Sequence, residues 1–312
     1  MTTNRPLFTI FTPTYNRAHT LQRTYSSLLE QTWRDFEWLI VDDGSQDGTI
    51  DLVQAWIDER RIAIRYIRQP NSGKHVAFNR GVRQAHGELL LTLDSDDTCE
   101  PNALERFRWH WLAIPDSERD RFSGITCLFK DEHDSPIGGP LPQDKIDGRP
   151  CEVMSRCRRK GEMWGFHRTE VLRGYPFPAY PGERFVPEGL VWNRIGHLYM
   201  IRFVNEALRC YHDSPDSLSG SMVRIRTESP RSTLVYYAEA LALPLHVSER
   251  IRSSVNIWRF AVPGGLASQA WGVRANRALV VAGLLPGLTM AIVDKLLAST
   301  LRSSLRQSTA KR

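Results

Sequence analysis

Apolar and polar positions alternate in blocks through the first hundred residues. Leu7-Phe-Thr-Ile-Phe-Thr12 is a short apolar run bounded by the turn-prone Pro13-Thr-Tyr-Asn-Arg17, which predicts a buried strand. Leu21, Tyr25, Leu28 and Leu29 fall at helical spacing within Thr20 to Gln31. A second strand spans Phe36 to Val41, and a helix from about Thr49 to Arg60 keeps Ile50, Val53, Trp56 and Ile57 on one face. The unit repeats with a strand at Ile62 to Ile67 and a helix at Lys74 to His86. A fourth strand, Leu89 to Leu93, runs into Asp94-Ser-Asp-Asp97, and Pro101 is placed to open the next helix. Alternation of this kind predicts an α/β fold, a Rossmann-like, mostly parallel sheet flanked by helices with right-handed crossovers.

The pattern then loosens. Phe122 to about Tyr211 carries Gly/Pro-rich turns at Pro136–Pro142 and Tyr175–Pro187, and reads as the second half of the same domain. Past Asp213 the composition shifts, with 227 to 260 helical in pattern and Ala278 to Val293 an uncharged stretch interrupted by Leu285-Pro286-Gly287. The expected organisation is a domain over 1–225, divided into halves at 1–120 and 121–225, followed by a helical C-terminal extension over 226–312.

Composition narrows the class. The chain has 312 residues, 41% hydrophobic and 24% charged, enough apolar material for a sizeable core. A formal charge of +6 favours anionic partners, whether nucleotide phosphates or acidic headgroups; no nucleic-acid motif accompanies it. Five cysteines, at 99, 127, 151, 157 and 210, form no CxxC pair and match no zinc spacing, which predicts reduced thiols in a cytoplasmic protein. The N-terminus lacks the layout of a signal peptide.

Ligands of open α/β sheets gather beyond the carboxyl ends of the strands, where this sequence places its polar clusters. The carboxylates of Asp94-Ser-Asp-Asp97 repel one another unless a cation joins them, and hard divalent ions take one or two carboxylates plus phosphate oxygens. A solvated Asp-rich turn is the plain alternative. In Asp42-Asp43-Gly-Ser-Gln-Asp47-Gly-Thr49, one carboxylate can accept a ring N–H while Asp47 or Thr49 caps the following helix. Lys74, at a helix start, can reach a diphosphate or stand in solvent.

Thr12-Pro-Thr-Tyr-Asn-Arg17, Val41-Asp-Asp-Gly-Ser-Gln-Asp-Gly-Thr49, Gly73-Lys-His75, Asn79-Arg-Gly81 and Leu93-Asp-Ser-Asp-Asp97 occur in the order seen in glycosyltransferase family 2. Over roughly residues 7 to 105 the chain resembles that family's nucleotide-sugar-binding half. The resemblance implies a GT-A fold, a nucleoside-diphosphate sugar donor, a divalent metal (Mn²⁺ or Mg²⁺) and inversion at the anomeric carbon. Carried over by position, Pro13, Tyr15 and Arg17 would line the nucleotide pocket and Asp43 would accept from the base, most often uracil. Lys74, Asp94 and Ser95 would contact the nucleotide sugar. Asp94 and Asp96 would form the DxD pair, with Asp96 the direct metal ligand and His212 a late histidine that completes the metal site or serves as an ordinary polar residue. Phe185-Val-Pro-Glu188-Gly-Leu-Val-Trp192 resembles the segment that supplies the base; Glu188 is the first choice, with Glu183, Asp213 and Asp216 as alternatives. Trp164 and Trp192 are candidates to stack on a sugar, or else core.

Ala278 to Val293 is shorter than the roughly 20 residues of a spanning helix. It predicts either a buried helical pair or a segment on the cytoplasmic face of a membrane, where Arg274, Arg277, Lys295, Arg302 and Arg306 would meet anionic lipids. The second option suits a saccharide or lipid-linked acceptor, as in surface polysaccharide or glycolipid assembly. Two rivals stand beside the enzyme: a non-catalytic nucleotide-sugar-binding or scaffold protein of the same fold, and a nucleotidyltransferase. The latter would need a Gly-rich basic loop after the first strand, which Thr12–Arg17 is not.

Overall fold

The computed structural model describes residues 5–157, 162–213 and 221–309, with side chains of the last helix described through Leu297 and at Ser299. Strand and helix alternate first: β1 (Phe8–Thr14), α1 (Ala18–Leu29), β2 (Phe36–Asp42), α2 (Thr49–Glu59), β3 (Ala63–Arg68), α3 (Lys74–Gln84) and β4 (Leu89–Thr92). A two-residue β5 (Thr98–Cys99), α4 (Ala103–Leu112), α5 (Asp116–Arg119) and the long β6 (Phe122–Lys130) follow. Next come β7 (Lys145–Gly148), α6 (Pro150–Cys157), β8 (Trp164–Arg168), α7 (Thr169–Gly174), α8 (Gly189–Leu198) and β9 (Met200–Cys210). The rest is helical: α9 (Met222–Glu228), α10 (Pro230–Ala240), α11 (Val247–Ala261), α12 (Ala267–Trp271), α13 (Arg277–Ala282) and α14 (Leu284–Thr309). The chain forms two compact units, Met1–Phe177 with Val191–Ser217, and Pro178–Leu190 with Leu218–Arg312. The short segment that holds Glu183 and Glu188 thus groups with the C-terminal helices.

The first unit is built on one sheet in the order β3-β2-β1-β4-β8-β6-β9-β5, with β7 against β9. β1 and β2 are buried along their whole length, because helices cover both faces of the central strands. Parallel pairing joins β3, β2, β1 and β4, so those strands end at one edge of the sheet. β1 lies between β2 and β4, which creates a topological switch point where the connections leave in opposite directions. Beyond β4 the sheet is mixed: β8 runs antiparallel to both β4 and β6, while β6 and β9 are parallel. The uniformly parallel part of the sheet is therefore its first half, and β6 with β9 adds a parallel pair beyond it. Under α1 and α2 the rings of Tyr25, Trp38 and Trp56 stack with centroids 4.4 to 6.0 Å apart.

β9 carries three charged side chains, and each finds a distant partner. Arg202 makes a two-pronged pair with Asp147 at 2.8 Å, and Arg209 reaches the carboxylates after β4. Glu206 accepts from Arg106 at 2.7 and 2.8 Å and lies 2.6 Å from His110 Nε2. The Arg106 hydrogen bonds outweigh partial burial and, with His110, hold the Glu206 carboxyl down at about 2, against an ordinary 4.5. A carboxyl whose folded pKa is depressed adds stability above its unfolded pKa and loses it as pH falls through the folded one. Glu206→Gln is therefore expected to start less stable at about pH 6 but to lose less than the wild type on going to about pH 3, as measured by urea denaturation.

The second unit has its own core of Leu234, Leu241, Ile257, Trp258, Ala261, Leu266, Ala270 and Val280. Trp258 satisfies its indole N–H on the Val280 carbonyl at 2.6 Å. The helical stretch expected over 227–260 is broken at Ser229, where Pro230 opens α10, and again between α10 and α11. In the uncharged stretch the break falls at Gly283 rather than at Pro286, which sits in the first turn of α14, where no N–H is needed. Among the described residues no helix is long and apolar enough to cross a membrane.

Candidate functional site

The polar edge of the first unit is assembled by the loops after β1, β2, β3 and β4. β1 runs through Pro13 to Thr14, and Asn16 turns the chain with a left-handed φ of 53°. The Asn16 N–H donates to Ser45 Oγ at 2.8 Å, and its side-chain carbonyl accepts from the Gln46 N–H at 2.8 Å. Asp47 accepts from the Thr49 N–H and hydroxyl and, with its other oxygen, from the Ala18 N–H. Asp47 thus caps α2 and ties it to α1. These bonds leave Tyr15 44% exposed on the edge and bring Arg17 beside the last loop.

Asp42 and Asp43 do different work. Asp42 is fully buried and shapes the turn, accepting from the Ser45 N–H and hydroxyl and from Tyr66. Asp43 holds the loop after β3: it accepts from Gln69 Nε2 at 2.8 Å, the Ser72 N–H at 2.9 Å and the Gly73 N–H at 2.7 Å. A carboxylate has about four acceptor positions, so one remains for a further donor. Gly73, at φ 95°, takes a conformation that glycine adopts without strain and launches α3 with Lys74 as its first residue.

The loop after β4 is clamped to α1, where the Thr20 hydroxyl donates to the Ser95 carbonyl and the Thr24 hydroxyl to the Asp97 carbonyl, both at 2.9 Å. Ser95 is buried. Within the loop, Asp94 meets Lys74 Nζ through Oδ1 at 2.9 Å and Arg209 Nη2 through Oδ2 at 2.9 Å. Asp97, 1% exposed on its side chain, takes a two-pronged contact from Arg209 and accepts the His212 N–H at 3.1 Å. Burial alone would raise the Asp94 carboxyl, but the Lys74 and Arg209 cations more than offset it and hold it well below the usual range. Asp97 goes the other way: burial, helped by the neighbouring Asp94 charge, leaves its carboxyl above the usual range despite Arg209. Lys74 and Arg209 balance Asp94 and Asp97, and Arg17 faces Asp96, so the cluster at the switch point is near charge balance. β5 explains how Arg209 arrives, since Cys99 pairs with Arg209 across the β5–β9 ladder.

Asp96 differs from its neighbours. It meets Arg17 Nη2 at 3.9 Å, beyond hydrogen-bond range, and its side chain is 23% exposed. His212 stands near the same loop, with Nε2 3.1 Å from the Thr98 hydroxyl and Nδ1 2.6 Å from Glu132. A carboxylate on one ring nitrogen fixes the tautomer and leaves the other nitrogen to accept, the arrangement usual behind metal-bound histidines. Among the described residues no group of three or more His, Cys, Asp and Glu side chains is disposed to hold a metal alone. The structure does not bring Asp94, Asp96 and His212 together as one donor set. Asp94 is held by Lys74 and Arg209 and His212 Nε2 lies at the Thr98 hydroxyl, which leaves Asp96 as the carboxylate open to a hard divalent ion that takes its other ligands from phosphate and water.

In the second unit Glu188 is exposed and immediately precedes α8. Glu183 is committed elsewhere: its carboxylate accepts from the Arg231 N–H at 2.7 Å, the Ser232 N–H at 2.9 Å and the Ser232 hydroxyl at 2.5 Å, capping α10. Asp213 is exposed, and Asp216 lies outside the described residues. Of the two tryptophans, Trp164 is buried and donates to the Thr92 carbonyl at 2.6 Å. Trp192 packs edge-on against Phe78 and Phe177 and stacks on His167. Both belong to aromatic packing. Arg209 and Glu132 went unrecognised in the sequence; the available signal was an arginine within a strand, which demands a carboxylate partner.

Comparison with known proteins adds three findings. Residues 9–115 match the family described as Glycosyl transferase family 2. A Bacillus subtilis protein described as a teichuronic acid biosynthesis glycosyltransferase is 41% identical over 108 residues, 34% of this chain and 42% of that one. Among solved structures, S. aureus TarS in complex with UDP-GlcNAc aligns with a TM-score of 0.55 at 17% identity, over 86% of this chain and 76% of that one. The mannosyltransferase PcManGT from Pyrobaculum calidifontis, in complex with GDP-Man and Mn²⁺, aligns with a TM-score of 0.53 at 21% identity, over 95% and 81%. At these identities the structural likeness establishes the fold, which is GT-A. The chain spans less than half the length of the curated relatives it matches.

Proposed function

We propose that this chain, whose residues 9–115 form a glycosyltransferase family 2 domain, moves a sugar from a nucleoside-diphosphate sugar to an acceptor hydroxyl with inversion. The observation that carries the proposal is the charge-balanced cluster at the switch point. Lys74 and Arg209 neutralise Asp94 and Asp97, while Asp96 stays outside hydrogen-bond range of its cationic neighbour. A donor diphosphate entering there meets Lys74 at the head of α3, next to a helix N-terminus that favours anions. The base lies against the loop after β2, where Asp43 keeps one acceptor position for a ring N–H, and uracil is the base this suits. Pro13, Tyr15 and Arg17 line the same side of that pocket, and Ser95 lies under the sugar-phosphate. That two fold neighbours are solved with nucleotide sugars supports the donor class.

In the transfer, Lys74 leaves Asp94 and stabilises charge growing on the departing diphosphate. A divalent ion held by Asp96 together with the donor's phosphate oxygens would supply Lewis-acid neutralisation of that same diphosphate. Glu188, the exposed carboxylate at the start of α8, takes the proton from the attacking hydroxyl, while Glu183 is withdrawn by its capping bonds. The acceptor is a saccharide or lipid-linked saccharide of the kind used in polysaccharide assembly, a reading supported by the teichuronic acid relative. A cytoplasmic site of action suits the thiols, which are free at all five cysteines.

Isothermal titration with UDP-, GDP- and dTDP-sugars, with Mn²⁺ and with a chelator, tests this. One donor is expected to bind with Mn²⁺ and to be lost on chelation. Absence of binding to every donor by folded protein would overturn the proposal in favour of a scaffold that transfers nothing.

A further inference from the structure

The first turns of α14 are pinned by close packing on α11. A Cβ added at Gly283 would lie 2.5 Å from the Ser254 backbone, and one at Gly287 2.5 Å from the Val255 carbonyl oxygen, so only glycine allows this approach. Further along, Asp294 makes a two-pronged pair with Arg259 at 2.6 and 2.7 Å. These contacts fix the rotation of the helix and turn the opposite side to solvent. That side is apolar: Leu285 is 74% exposed, Ile292 and Leu296 61% each and Leu297 60%, with Met290 and Val293 beside them. Positions 285, 292 and 296 fall on one line of the helix, and soluble surfaces rarely leave such a row uncovered.

The stretch of chain that carries this face is strongly basic in sequence. Residues 221–312 hold 13 Lys and Arg against 4 Asp and Glu, a formal +9 within a chain of +6, so the remainder is net acidic. Asp294 is the one acidic residue of α13 and α14, and Arg259 already neutralises it. Arg274, Arg277 and Lys295 are exposed. A second copy laid on this face would bring two strongly cationic surfaces together, whereas an anionic surface would relieve them.

We propose that the outer face of α14 docks on an anionic phospholipid bilayer, lying in the interface with its apolar row among the acyl chains and its arginines and lysine at the headgroups. The docking surface lies within the second unit and does not depend on the transfer reaction.

Co-sedimentation of the full chain with vesicles tests it, using phosphatidylcholine alone and equal parts phosphatidylcholine and phosphatidylglycerol. Binding is expected to the mixed vesicles and not to the neutral ones. The triple substitution Arg274→Gln, Arg277→Gln, Lys295→Gln is expected to weaken it on the order of a hundredfold, since each basic residue near such a surface contributes about fivefold. Leu285→Ser, Ile292→Ser, Leu296→Ser is expected to abolish it, with circular dichroism to confirm folding; should that variant misfold, the charge variant, which alters exposed side chains alone, decides. No binding to mixed vesicles, equal binding to both kinds, or binding indifferent to either set would overturn the proposal. A dimer in sedimentation velocity that the serine variant dissolves would overturn it too, by assigning the face to a second copy.

Discussion

Asp96→Ala is expected to lower donor turnover by about a thousandfold while leaving the fold intact. The size follows from removing a ligand or electrostatic partner of the leaving diphosphate, a contribution realised as charge develops in the transition state. The selectivity follows from the structure. Asp94 and Asp97 are bound to Lys74 and Arg209, so truncating either would remove a close ion pair, whereas Asp96 meets Arg17 at 3.9 Å and carries little of the fold. A partly exposed side chain without close partners changes stability by roughly 0.5 kcal/mol or less on truncation. Steady-state donor turnover with Mn²⁺ and a thermal melt are the two measurements. Normal turnover would remove Asp96 from the metal site, and a collapsed melt would show that the loop after β4 needs it structurally.

Much of this site is legible in the sequence because it is local. Each polar cluster follows a short apolar run, and the parallel sheet of β1 to β4 carries those clusters to one edge. The helix starts at Thr49 and Lys74 and the strand start at Phe36 lie where the pattern puts them. What escaped is long-range. Arg209 lies 115 positions from Asp94 and 112 from Asp97, and reaches them because a two-residue strand, β5, pairs with β9. Two residues are too short for periodicity to declare a strand. Glu183 is the nearby alternative to Glu188 in sequence, yet it caps a helix that begins nearly fifty residues later, a relation no spacing rule encodes. The mixed half of the sheet is opaque for the same reason, since β8, β6 and β9 pair out of chain order and in both directions although helices still lie between them.

Arg209→Met tests the other half of the cluster and is expected to destabilise the protein by about 3–5 kcal/mol, the range for deleting one partner of a buried ion pair. Asp97 is 1% exposed on its side chain and would lose its two-pronged partner, with the His212 N–H left as a donor. A carboxyl already raised by burial in the presence of Arg209 rises further without it. The sign of the pH dependence follows: when the folded pKa lies above the unfolded one, stability is fullest below the unfolded pKa and is lost as pH rises through the folded value. The variant is therefore expected to be less destabilised at about pH 5 than at about pH 8 in urea denaturation. Adding Asp97→Asn, which removes the orphaned charge and keeps an acceptor for the His212 N–H, is expected to restore part of the loss and flatten the pH dependence. If Arg209→Met instead lost the same stability at both pH values, and Asp97→Asn restored nothing, the loss would be one of packing against Phe129 rather than of charge.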